Sequence, residues 1–244
     1  MRGAAIVEDH QLLAETLVAT LRDRGVEAEI IELCEPADLL AELLERRPRL
    51  VMLDLDLGSF GDSTWLIEPL TSDGIRVLVV TGSSNRLRVA TALDQGAIGY
   101  QLKSAGFEAL VSRVELAMTS EGVLDPDERT QMLHELSVAR IERARRLEPF
   151  GRLTDRERLT LQALAQGRTV HEIARDWQLS EATVRTHVRS VLAKLKAPSQ
   201  LAAVSIALRS GWLESTAAGA ELSLRPEVAD APHPMRRATD VVVG

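Results

Sequence analysis

Two short runs in this chain contain no polar residue, Leu50-Val51-Met52-Leu53 and Val77-Leu78-Val79-Val80. A strand of that kind is stable only where both of its faces are covered, which in a domain of ordinary size means a parallel sheet with helices packed on either side. The rest of the first half obeys the same rule: through residue 118, short β-branched runs alternate with longer amphipathic stretches. The pattern predicts five strands, Ala4 to Val7, Glu29 to Leu33, Leu50 to Leu55, Arg76 to Thr81 and Ile98 to Leu102. Helices are predicted between and after them, near residues 11–24, 36–46, 63–72, 85–95 and 106–119. The expected fold class is α/β, a (βα)5 doubly wound parallel sheet over residues 1–119.

Asp125-Pro126-Asp127-Glu128 then offers a capping side chain, a proline at the first helical position and acids in the first turn, the signature of a helix start. This helix should run to about Glu148, with Met132, Leu133, Leu136, Ala139, Ala144 and Leu147 on one side and Arg140 and Arg143 interrupting the stripe. Such a stripe suits packing on the first domain or on a second copy. Glu148-Pro149-Phe150-Gly151 is expected to end the helix as a hinge, so that residues 120–150 form a helical linker.

Four short helices are expected from Thr154 onward. Thr154 with Glu157 and Thr169 with Glu172 fit capping boxes, and Ser180 precedes the third helix. Val170 to Trp177, a turn through Gln178 and Leu179, and Glu181 to Lys196 have the lengths of a helix-turn-helix. Ile173, Ala174, Leu179, Val184, Val188, Val191, Leu192 and Leu195 would face inward. An all-α module over residues 151–214 follows, and the polar stretch 215–244 reads as a disordered tail.

The net charge of -7 is divided unevenly: residues 1–118 hold 11 Lys and Arg against 19 Asp and Glu, whereas residues 151–214 hold 10 against 6. An acidic half joined to a basic half is the asymmetry of a chain with a polyanionic partner. On the outward side of the second helix of the helix-turn-helix, Arg185, Thr186 and Arg189 lie together near the N-terminus, where side chains enter the major groove of duplex DNA, and Lys194 and Lys196 farther along suit phosphates. His187 has no second ligand at metal spacing and reads as a packing or phosphate-contacting residue. Cys34 is the sole cysteine; it cannot pair within the chain and reads as a small buried hydrophobe in the second strand. No apolar run approaches the ~18 residues that span a bilayer, and the N-terminus lacks a leader pattern. A soluble, cytoplasmic protein without a membrane partner is expected.

Open parallel sheets bind ligands at the carboxyl ends of their strands, and there the first domain gathers its polar residues. Glu8-Asp9 closes the first strand, Asp54 the third, Thr81 the fourth, and Lys103 follows the fifth. Converging carboxylates call for a hard divalent cation, for which oxygen ligands favour Mg²⁺. The hydroxyl and the ammonium opposite suit a phosphoryl group.

These residues, in Ile-Val-Glu8-Asp9-His, Met-Leu-Asp54-Leu, Val-Val-Thr81-Gly and Gly-Tyr100-Gln-Leu-Lys103, resemble the receiver domain of two-component response regulators, over Ala4 to about Met118. Leu153-Thr-Asp-Arg-Glu157, Glu172-Ile-Ala174, Ser180-Glu-Ala-Thr183-Val184-Arg185-Thr186-His187-Val188 and Val191-Leu192-Ala-Lys194-Leu195 look like the LuxR-type output domain. Together they resemble the NarL/FixJ family. The resemblance implies a transcription regulator rather than an enzyme. Asp54 would accept a phosphoryl group from a sensor histidine kinase, and Glu8, Asp9, Asp54 and the main-chain carbonyl of Asp56 would surround Mg²⁺. Thr81 and Lys103 would hold phosphoryl oxygens, and Tyr100 would turn inward after Thr81 moves. It also implies Arg185, Thr186 and Arg189 facing bases and a fourth output helix, about Ser199 to Arg209, in dimerisation.

Two departures stand out. The loop Asp56-Leu-Gly58-Ser-Phe-Gly61-Asp62 lacks the usual proline and Asp-Gly pair, and Lys196 replaces the glycine commonly found after the Lys-Leu pair. A base contact is worth ~1 to 3 kcal/mol while specific binding must exceed non-specific binding by ~4 to 10 kcal/mol, so a homodimer on two half-sites is expected. Two other readings of the pocket exist: a receiver-like regulator that answers a ligand or protein partner without phosphorylation, and a haloacid-dehalogenase-like phosphatase suggested by Asp54-Leu-Asp56. The latter motif belongs on the first strand of a larger sheet, whereas here it ends the third.

Overall fold

A computed structural model describes residues 3–119 and 123–213, and the chain divides into two compact units between Ile141 and Glu142. The expected tail, residues 215–244, lies outside the described residues.

In the first unit the strands β1 (Ala4–Val7), β2 (Ala28–Ile30), β3 (Leu50–Asp54), β4 (Arg76–Thr81) and β5 (Gly99–Leu102) form one parallel sheet in the order β2-β1-β3-β4-β5. The helices are α1 (Gln11–Asp23), α2 (Pro36–Arg46), α3 (Ile67–Ser72), α4 (Arg86–Asp94) and α5 (Phe107–Thr119). Alternation along the strands sorts the core into two layers. Ala5, Val7, Val51, Leu53, Val77 and Val79 pack toward α2, α3 and α4, whereas Ala4, Ile6, Leu50, Met52, Leu78 and Val80 pack toward α1 and α5. Val51, Met52, Val79 and Val80 are fully buried, as their unbroken apolar runs require.

Two boundaries differ from expectation for local reasons. β2 stops at Ile30 rather than Leu33, because β2 pairs only with β1 and the ladder closes with the Ile31 amide on the Ile6 carbonyl, 2.9 Å away. Cys34 is consequently half-buried beyond the strand, against the core edge, and is not a strand residue. The third helix begins at Ile67, after a 3₁₀ turn at Thr64–Leu66. Pro69 lacks an N–H and is tolerated only in the first helical turn, so an α-helix beginning at 63 would have placed it in the interior.

The long helix α6 (Pro126–Gly151) starts as predicted: the Asp125 carboxylate accepts the Asp127 and Glu128 amides, at 2.8 and 3.3 Å. Its apolar stripe is divided. Met132, Leu133 and Leu136 pack into the first unit on the α2-α3-α4 side, and Leu147 and Phe150 pack into the second. The expected stop and hinge at Glu148-Pro149-Phe150-Gly151 is not present, since the helix runs through Pro149 to Gly151. Phe150 is buried and stacks on Trp212 with ring centroids 5.0 Å apart, which holds the last turn helical.

The second unit continues with α7 (Asp155–Ala165), α8 (Val170–Asp176), α9 (Glu181–Leu195) and α10 (Gln200–Arg209). Thr154–Glu157 and Thr169–Glu172 both close as capping boxes, and Ser180 caps α9. Ile173, Ala174, Val184, Val188, Val191 and Leu195 are buried as predicted, but Leu179 is exposed because it follows Gln178, whose left-handed φ of 54° turns the chain outward between α8 and α9. Lys196, which stands where the sequence resemblance leads one to expect glycine, takes the left-handed conformation (φ 51°), so α9 ends at Leu195 with the strain of a side chain there.

Glu157 joins these helices. Beyond capping α7, its buried carboxylate accepts Lys194 Nζ at 2.6 Å and the Ser190 hydroxyl, both from α9. Burial alone would raise its pKa, but the hydrogen bonds from Lys194, Ser190 and Thr154 outweigh it and lower it to about 2. Glu157→Gln is expected to destabilise the second unit by about 3 kcal/mol at neutral pH, because Lys194 loses its counter-charge. With the folded value below the ordinary 4.5, that contribution is complete above that pH and fades as pH falls toward 2. Circular-dichroism melts of both forms should therefore converge in acid and separate above it.

Candidate functional site

Strand register builds the rim of the sheet. Val7 lies beside Leu53, Asp54 beside Val80 and Thr81 beside Leu102. The next residue on each strand is therefore delivered to one edge, and Glu8, Asp54, Thr81 and Lys103 meet there. Glu8, Asp54 and Thr81 are buried. An open cleft of about 630 Å³ lies in front of them, lined by Asp9, His10, Asp54, Asp56, Gly58 and Lys103, among others.

Lys103 Nζ stands between two carboxylates, 2.7 Å from Glu8 Oε1 and 2.7 Å from Asp54 Oδ2. Burial would lower the pKa of this ammonium, but the hydrogen bonds to Asp54 and Glu8 more than offset it, and it is raised. Asp54 Oδ1 accepts the Asp56 amide at 3.2 Å. Glu8 Oε1 also meets His10, through the backbone amide at 3.1 Å and the ring Nδ1 at 3.0 Å, while the same Nδ1 lies 2.7 Å from Asp9 Oδ1. Those contacts with Glu8 and then Asp9 raise the His10 pKa.

Glu8 Oε2 is buried and has no partner. A buried carboxylate oxygen without a donor is costly, and it sits among groups able to share a cation: ligand atoms of Glu8, Asp9, His10 and Asp54 all lie within 4.8 Å of one another. The donor set fits a divalent ion. Gly58 completes the cradle; a Cβ there would stand 2.7 Å from Asp9 Oδ2, at a φ of 58°. Gly82 is different, because a Cβ there would meet nothing within 4 Å and the pocket is open at that point regardless.

The other expected residues are placed less simply. Asp56 is exposed on the rim, where its loop folds back in a short bridge to Asp62. The Thr81 hydroxyl accepts the Ser83 amide at 3.1 Å. Tyr100 lies outside the cleft: its hydroxyl donates to Glu128 Oε1 of α6 at 2.8 Å.

Sequence reasoning missed three contributors. His10 was legible as the neighbour of two acids. Ser63, fully buried, donates its hydroxyl to the Asp54 carbonyl. Arg88 of α4 ties the non-standard loop down, pairing with Asp62 at 2.6 Å and donating to the Leu55 carbonyl. Asp62 in turn accepts the Thr64 amide at 2.8 Å. Nothing in the spacing of Arg88 and Asp62 announces the pair, which depends on α4 lying against the loop.

In the second unit, Arg185, Thr186 and Arg189 are all exposed on one side of α9. Glu181 organises this end, 2.7 Å from Arg185 and 2.9 Å from His171 Nδ1. Lys194, expected to meet phosphates, is instead held by Glu157. Among the described residues no single helix is long and apolar enough to cross a membrane.

A doubly wound sheet with an acidic, lysine-closed rim, followed by a capped helix-turn-helix, defines a receiver joined to a DNA-binding module. Residues 4–115 match the model of the response regulator receiver domain, and residues 152–207 that of the bacterial regulatory proteins of the luxR family. The chain is 30% identical over 217 residues to the nitrate/nitrite response regulator protein NarP of Escherichia coli, covering 84% of this chain and 93% of that protein. It is 28% identical over 211 residues to a nitrate/nitrite response regulator homolog of Haemophilus influenzae (81% and 92%), and 27% identical over 214 residues to the transcriptional regulatory protein YdfI of Bacillus subtilis (87% and 98%). The chain belongs to the response regulator family, in its NarL/FixJ branch, and is a response regulator with receiver and LuxR-type DNA-binding domains.

Removing the ammonium leaves Glu8 and Asp54 facing each other without compensation. Lys103→Met is expected to cost about 3 kcal/mol of first-unit stability at pH 7, with part of the loss recovered on adding millimolar MgCl₂. Urea denaturation with and without the salt measures both effects.

Proposed function

We propose that Asp54 accepts a phosphoryl group from a sensor histidine kinase and that its modification governs dimerisation and sequence-specific binding of duplex DNA. The observation that carries this is the ammonium of Lys103 bridging Asp54 and Glu8, beside a buried Glu8 oxygen with no partner. In the transfer an Asp54 carboxylate oxygen forms the new bond to phosphorus as the bond from phosphorus to the kinase histidine breaks. Two anions then share the pocket, so compensation by fixed positive charge is the main need.

Glu8, Asp9, Asp54 and the main-chain carbonyl of Asp56 would hold Mg²⁺, with His10 close enough to join them. When bound, the ion neutralises charge on the transferring group. Lys103 turns its ammonium from Glu8 toward a phosphoryl oxygen, and the Thr81 hydroxyl leaves the Ser83 amide to reach another. Movement of Thr81 opens space toward which Tyr100 turns, which breaks its hydrogen bond to Glu128 and so loosens α6 at its first turn. The extra carboxylate of Asp56, two residues from the acceptor, alters the lifetime of the modified state.

Residues 1–119 serve as receiver, 120–150 as linker and 151–214 as DNA-binding module. The protein works in the cytoplasm as a regulator rather than an enzyme, and as a homodimer when active, with α10 in the dimer contact and its exposed Leu201 and Leu208 available for it. Arg185, Thr186 and Arg189 read bases, Glu181 holding Arg185 in place until DNA competes for it.

Incubation with acetyl phosphate and MgCl₂ should add one phosphoryl mass to the intact protein and map it to the peptide containing Asp54, with no adduct in Asp54→Asn. An unmodified wild type, with DNA binding intact, would favour a receiver that responds to a partner without phosphorylation.

A further inference from the structure

Glu181, Arg185 and Arg189 follow one another at four-residue steps and so lie along one side of α9. The two arginines differ. Arg189 is exposed and has no acidic partner among the described residues, whereas a terminal guanidinium nitrogen of Arg185 lies 2.7 Å from Glu181 Oε2. A pair of this kind within one helix is ordinarily loose, because both side chains are long and solvated. Here the carboxylate has a second anchor on another element: its Oε1 lies 2.9 Å from His171 Nδ1, on α8. Glu181 therefore stands between the two helices of the helix-turn-helix, with one oxygen to each. Its contacts with His171 and then Arg185 lower its pKa, so it is charged at neutral pH. An anion in the first turn of a helix needs no further reason. One that holds a base-reading guanidinium has a consequence for DNA.

Binding to arbitrary sequence is almost wholly attraction to phosphates, which carry one charge per ~1.7 Å of duplex, and an arginine free to meet them strengthens it. Glu181 denies Arg185 that use. Its carboxylate takes one end of a guanidinium that has five N–H donors in all. A guanine edge, which presents O6 and N7 and carries no formal charge, can meet the remaining donors with the carboxylate still close. A phosphate at the same donors would set two anions side by side. The anchor on His171 matters because a carboxylate free to swing into solvent would simply yield its place. The cost thus falls on the wrong register, the repulsive element by which one partner is told from another.

We infer that Glu181, held by His171, is a specificity-determining residue: it bars Arg185 from the phosphate backbone and so widens the gap between the protein's own site and arbitrary DNA. This rests on the reading of Arg185 as a base contact. His171 acts through Glu181 and is a positioning residue.

The test uses the full chain and two fluorescein-labelled duplexes of equal length, one selected by the wild type from a random library and one of arbitrary sequence, in a salt series read by anisotropy. E181Q is expected to bind the arbitrary duplex about three- to fivefold more tightly, with a slope of log K against log salt steeper by ~0.9, the share of one added phosphate contact. Its affinity for the selected duplex should stay near that of the wild type, so the ratio between the two falls. H171A should shift the ratio in the same direction and add nothing further in the E181Q background. In an R185A background, E181Q should leave the salt slope unchanged. The positions are exposed, and matching circular-dichroism melts would show that the variants are folded. An E181Q that changes affinity for both duplexes equally would overturn the inference, as would a steeper slope that persists without Arg185. An R185A that weakens both duplexes equally would overturn the base contact and the inference with it. A normal loss of preference in R185A beside an unchanged ratio in E181Q would overturn the inference alone.

Discussion

The rim of the sheet depends on one ammonium. Parallel register brings Glu8 and Asp54 to the same edge, both buried, and Lys103 lies 2.7 Å from each. Without it the strand ends would carry two desolvated anions side by side, an arrangement that costs several kcal/mol. With it, the two carboxylates are bridged but not neutralised, since they share a single ammonium and one Glu8 oxygen remains without a partner. Such a pocket is stable enough to fold and still able to gain from a cation or from a group that draws the ammonium away. That is the physical basis for reading it as a switch.

Around that pocket, α4 holds the connections. Its N-terminal turn is capped by Asn85, its Arg88 ties down the loop after Asp54, and its Arg86 pairs with Glu135 of α6. Arg129 of α6 donates to the Leu93 and Ala97 carbonyls where α4 ends, and Tyr100 meets Glu128. The first part of α6 is thus pinned to the same element that borders the pocket. In the proposed mechanism the movement of Thr81 draws Tyr100 away from Glu128, and that bond to α6 is what it changes. Arg88 also explains how a loop without the family's proline and Asp-Gly pair keeps a defined shape: Gly58 and Gly61 supply the left-handed turns, and Asp62 supplies the anchor.

Much of this was legible in the chain. Strand alternation and the apolar runs gave the sheet and its two layers, and the strand-end polar residues gave the pocket, because period and register follow from local pattern. Helix caps at Thr154, Thr169 and Ser180 were equally readable, as capping is a contact between near neighbours. What escaped depends on distant partners. Pro149 signalled a stop, but the stacking of Phe150 on Trp212, far along the chain, overrides it. Lys194 looked like a phosphate ligand on a basic helix, and only the fold brings Glu157 to it. Arg88 and Asp62 were invisible for the same reason, and Leu179 was misplaced because the left-handed Gln178 redirects the chain.

The central claim is that charge introduced at Asp54 controls the DNA-binding unit. It is tested most directly by measuring the affinity of the full chain for a duplex carrying its selected half-sites, before and after treatment with acetyl phosphate and MgCl₂, in wild type and Asp54→Asn. The account predicts a gain of about tenfold or more in the wild type, equivalent to ~1.4 kcal/mol, and no change in the variant. An equal response in both proteins, or none in a wild type shown to be phosphorylated, would contradict it.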